Sequence, residues 1–97
     1  MKHAGPETLK QLAPLLDRLR SIPGLVERKP GTFYVRSTAF LHFHEDPAGL
    51  FADVKLDGDS FQRLPLHTAA HQSSLLQTVA QAVARVHKPK SAGAASR

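Results

Sequence analysis

Ninety-seven residues with 41% apolar content, no cysteine and no tryptophan describe one small domain. They exclude a disulfide or thiolate-metal scaffold, and no apolar run approaches the 18 residues of a membrane span. Thirteen Lys and Arg against eight Asp and Glu give a formal net charge of +5, but all eight acids and nine of the basic residues fall between Glu7 and His87. The central span is therefore near neutral and the excess charge lies at the ends, which disfavours a nucleic-acid face.

Residues 1–5 read as a flexible arm, with no signal-peptide run after Met1 and Lys2. Pro6 and Glu7 suit the start of a helix. Leu9, Leu12, Leu16 and Leu19 then recur at spacings of three and four, forming one apolar stripe. Pro14 interrupts this pattern, so the helix either kinks there or begins its regular part nearby. Pro23 and Gly24 end it. Leu25 to Arg28 reads as a short strand, Pro30-Gly31 as a turn, and Thr32 to Arg36 as a second strand. Ala39 to His44 and Leu50 to Leu56 form a β-hairpin across Asp46-Pro47-Ala48-Gly49, a run with turn residues at each favoured position. Phe61 to Leu66 reads as an edge strand, because Pro65 is tolerated only at an edge. Thr68 is placed to cap a last helix carrying Leu75, Leu76, Val79, Val83 and Val86. Residues 88–97 read as a disordered basic tail. The expected fold is α+β: one domain over residues 6–87, with an antiparallel sheet of four to five strands and both helices packed on one face.

The segment Phe40-Leu41-His42-Phe43-His44, the strand Leu50-Phe51-Ala52-Asp53-Val54-Lys55-Leu56, and the joint Ile22-Pro23-Gly24-Leu25-Val26 together resemble a family of small bacterial proteins called luciferase-like domain proteins. The resemblance spans roughly residues 9–86 and implies the same α+β fold. The family label is inherited from longer proteins and implies neither light emission nor an established activity. The helix–sheet–helix order is also similar to the frataxin-like arrangement, a likeness of topology that carries no function.

His42 and His44 are the residues most suited to chemistry. Two apart on a strand, they point to one face with Cα atoms about 7 Å apart. A metal needs at least a third ligand, for which Asp53 and Glu45 are the candidates. If Phe43 faces Ala52, then His42 faces Asp53 and His44 faces Phe51. A one-residue slip exchanges the faces. With Arg36 and Lys55, these residues form the candidate ligand-binding set: His42, His44, Asp53, Arg36 and Lys55. His67 and His71, at helical spacing, are a weaker pair, and a four-histidine site requires both on the last helix. Glu45-Asp46 reads as turn chemistry and the phenylalanines as core.

The sequence thus reads as a soluble, cytoplasmic binding or accessory module rather than an enzyme, with no cofactor assigned. A small polar molecule or a protein is the expected partner, and a monomer or a homodimer the expected state. The alternatives are an enzyme handling a metal or small molecule at His42 and His44, and a weak nucleic-acid binder using the basic ends.

Overall fold

The computed structural model describes residues 2–56 and 60–86. In chain order the elements are β1 (Lys2–His3), α1 (Pro6–Gln11), α2 (Ala13–Arg20), β2 (Leu25–Lys29), β3 (Thr32–Val35), β4 (Thr38–Asp46), β5 (Gly49–Val54), β6 (Gln62–Pro65) and α3 (Ala69–Val86). Strands β2 to β6 lie side by side in sequence order, all antiparallel, and β1 joins as a sixth strand by pairing with β4. This is the expected α+β arrangement. The expected arm is corrected in part: residues 2 and 3 form a strand, with Lys2 opposite Glu45 and His3 opposite His44. The expected tail at 88–97 lies outside the described residues.

The sheet is amphipathic because strand side chains alternate between faces. Leu25 opposite Val35, Phe33 opposite Leu41, Leu41 opposite Val54 and Phe43 opposite Ala52 put one apolar set on one face, and all are buried. Against it pack Leu15, Leu16 and Leu19 of α2 and Leu75, Val79, Ala82 and Val83 of α3. An extra residue in β4 between the partners of Phe33 and Tyr34 makes a bulge there, and both Phe40 and Leu41 are buried.

Pro14 resolves as a break rather than a kink inside one helix. α1 stops at Gln11, Leu12 leaves helical geometry at φ −92° and ψ 7°, and Pro14 falls in the first turn of α2. A missing N–H costs nothing there, because first-turn donors have no intrahelical acceptor. Thr68 caps α3 as expected: its Oγ1 accepts from the His71 N–H at 3.1 Å, and His71 Nδ1 in turn accepts from the His67 N–H at 3.0 Å. A histidine here returns a bond as the acid of a capping box does, but to the N–H of the residue before the cap rather than of the cap itself.

At the hairpin, Asp46 Oδ1 accepts from the Ala48 N–H at 2.8 Å, and Gly49 takes φ +132°. A Cβ on Gly49 would lie 2.7 Å from Nε2 of His67. Gly49→Ala is therefore expected to cost at least about 1 kcal/mol, from backbone strain and displacement of that ring. A urea melt checks this; an unchanged midpoint would place the His67 ring elsewhere.

Candidate metal centre

The face of the sheet opposite the helices carries the polar residues. β4 and β5 pair in the register that alternation favours: His42 opposite Asp53, Phe43 opposite Ala52 and His44 opposite Phe51. β1 adds His3 opposite His44, and β6 adds Arg63 opposite Asp53. Two strands, β1 and β4, thus bring three imidazoles together. Ring centroids are 4.8 Å apart for His42 and His44, 4.7 Å for His3 and His44, and 5.5 Å for His3 and His42. One ligand nitrogen from each lies within 4.8 Å of the others. Ligands around tetrahedral zinc sit about 3.3 Å apart, so the rings would close by roughly an ångström onto an ion.

Asp53 lies beneath this cluster, at 6% of its free exposure. Arg63 grips it as a fork, Nε to Oδ1 at 3.0 Å and a terminal nitrogen to Oδ2 at 3.1 Å. Burial alone would raise the Asp53 pKa and is the largest single influence, yet the hydrogen bonds from Arg63 and the nearby charges outweigh it, and the carboxyl is held below its usual range. His44 Nε2 lies 3.2 Å from Asp53 Oδ2 and 2.9 Å from His42 Nδ1. An ionised carboxylate only accepts, so the network places the proton of His44 on Nε2. Nδ1 then carries a bare lone pair. That atom is buried and has no hydrogen-bond partner among the described residues.

Both His42 and His44 are lowered from the ordinary histidine range, in each case first by burial. The charge of His44 adds to the effect at His42, and Asp53 opposes it at both. The rings are thus neutral near pH 7, the form a metal takes. The same shift fixes a pH dependence. The unfolded chain takes up protons below about pH 6.5, while the folded rings resist until lower pH. Stability is therefore full above that value and falls as pH drops through the folded pKa values. In chelator, the urea midpoint is expected to fall between pH 7.5 and 5.5, and to fall less in a His42→Ala, His44→Ala double variant. An equal fall in both proteins would contradict the assignment.

The residues singled out from the sequence come together only in part. His42, His44 and Asp53 meet. Lys55 stands one layer out, its Nζ 5.0 Å from the centre of the Phe61 ring, which packs edge-on to His42 at 4.7 Å. Arg36 shows no contact with the cluster. It takes φ +58° in the β3–β4 connection, where its carbonyl accepts from Arg28 at 3.3 Å. Glu45, the other candidate third ligand, faces away and accepts from the Gly5 N–H at 2.8 Å and the Thr8 hydroxyl at 2.7 Å. His67 and His71 cap α3, and His67 packs on Phe51, so no four-histidine centre forms. His3 and Arg63 were not singled out from the sequence.

No protein-family model matches the chain, and neither a curated protein nor a solved structure is similar to it at a significant level. The histidine cluster is therefore interpreted from its own chemistry. Among the described residues no helix is long and apolar enough to cross a membrane.

Proposed function

We propose that this chain is a metal-binding accessory module that holds one divalent first-row ion, zinc above all, through His3, His42 and His44. The observation that carries the reading is His44. Its Nε2 faces a carboxylate that is itself fixed by Arg63, its Nδ1 is buried without a hydrogen-bond partner among the described residues, and one nitrogen of its ring lies within 4.8 Å of a nitrogen from each of two further imidazoles. A ligating histidine usually gives its other N–H to a carboxylate, which sets the tautomer and the ring orientation. An orphaned buried nitrogen costs about 1–3 kcal/mol, and an ion is a partner that would remove the cost. Imidazole suits zinc, copper and nickel, and three protein ligands leave a fourth position open. The likeness to small luciferase-like proteins stays within this proposal as one of descent, and assigns no reaction. Cytoplasmic residence belongs to it too, supported by the absence of cysteine.

Calorimetric titration of tag-free protein at pH 7.5 tests the reading. One zinc per chain is expected at micromolar concentration or below. Asp53→Asn keeps the shape but no longer anchors the His44 N–H as an anion, and is expected to weaken zinc about 10–100-fold. No heat from the unaltered protein at micromolar zinc removes the reading.

A further inference from the structure

The sheet has a notch beside the histidines. β3 pairs with β4 only from Thr38 to Leu41, and β1 pairs with it only at His44 and Glu45. Leu41, His44 and Glu45 all pair with β5 as well, so β1 and β3 share the opposite edge of β4. Between them, residues 42 and 43 have no strand partner on that edge among the described residues; the Phe43 carbonyl accepts from the Ala4 N–H at 3.1 Å instead. The gap opens into a cleft of about 310 Å³ whose walls include His3, His42 and Lys29, with Ala4, Leu9 and Phe43 as an apolar side. The β2–β3 turn comes close to α1 at this point, since a Cβ on Gly31 would lie 2.6 Å from the Leu9 side chain. The cleft is thus lined by two of the three proposed metal-binding residues and holds about ten water volumes.

We propose that this cleft binds a short-chain carboxylate, its oxygen completing the coordination of the ion and its tail lying against Ala4, Leu9 and Phe43. The inference rests on the metal reading above. Three neutral imidazoles leave a divalent ion with its full charge. Asp53, the acid that contacts the cluster, is already paired with Arg63. The open position therefore favours an anion, and Lys29, which lines the same cleft, contributes a positive charge near it. The apolar side selects among anions. Phosphate presents oxygen all round and gains nothing from it, whereas an aliphatic tail is removed from water there.

Cobalt(II)-loaded protein gives the test, because its visible spectrum reports the ligands of the ion. Acetate, butyrate and inorganic phosphate are titrated separately into the unaltered protein and into Lys29→Met. Butyrate is expected to shift the spectrum with about tenfold higher affinity than acetate, from two more buried methylenes. Lys29→Met is expected to weaken butyrate about fivefold and to leave cobalt affinity within about twofold. With cobalt bound, a spectrum unmoved by butyrate, equal affinities for butyrate and acetate, tighter binding of phosphate, or indifference to Lys29→Met each overturns the carboxylate proposal and leaves the metal reading standing. Failure of the unaltered protein to bind cobalt removes both.

Discussion

His44→Ala is expected to lower zinc affinity more than about 100-fold while leaving the metal-free fold nearly as stable as before. The two effects separate for a structural reason. His44 is the ring that links the cluster: it touches His3 and His42 and is held by Asp53. Without it, His3 and His42 remain on different strands with their centroids 5.5 Å apart, and two ligands do not make a zinc site. In the metal-free protein the balance differs. Truncation loses packing but also removes a buried nitrogen that lacks a partner, worth about 1–3 kcal/mol. Asp53 keeps both bonds to Arg63. Calorimetry with zinc and a urea melt in chelator read the two quantities on the same samples. Lost binding together with a melt lowered by several kcal/mol would instead mark His44 as a structural residue.

Phe33→Ala is expected to have the opposite profile, removing most of the folding stability through the core. Phe33 is fully buried, pairs across the sheet with Leu41, and belongs to the cluster shared by the sheet, α2 and α3. Phe→Ala in such a place costs about 3–5 kcal/mol, from lost transfer energy and the cavity left behind. Domains of this size have about 5–15 kcal/mol in total. A fall in melting temperature of about 15 °C or more follows, since each kcal/mol moves a small domain by about 4–8 °C. Zinc should recover part of the loss, because the ion binds only the folded chain. A drop of a few degrees would mean that the helices do not seal this face.

The parts of the fold that could be read from sequence rest on local periodicity. Although the sequence alone leaves a one-residue slip open, alternation of Leu41, Phe43, Ala52 and Val54 favours the observed hairpin register, since the slip would turn one strand's apolar pair to the polar face. The turn residues from Asp46 to Gly49 agree with it, and that pairing puts His42 against Asp53. Thr68 as a cap and Pro65 at an edge likewise follow from one residue's own requirements.

What escaped the sequence depends on contacts distant along the chain. His3 sits on a strand of two residues, too short for any pattern, and is positioned by pairing with His44, forty-one positions later. Arg63 reaches Asp53 through the pairing of β5 with β6 across a connection whose length alone fixes no register. Arg36 misled for a different reason. It continues the alternation of the strand before it, but the chain turns there through positive φ, which composition does not announce. The centre was therefore half legible: the two rings with local spacing were visible, and the third ring and the arginine behind the carboxylate were not.

X-ray absorption on zinc-loaded, tag-free protein at pH 7.5 tests the central claim most directly, because it counts the atoms around the ion. The expected spectrum has three imidazole nitrogens at about 2.0–2.1 Å with their characteristic outer-ring scattering, and one oxygen at a similar distance. A shell of oxygens with fewer than three imidazoles, or zinc lost on desalting, would contradict it.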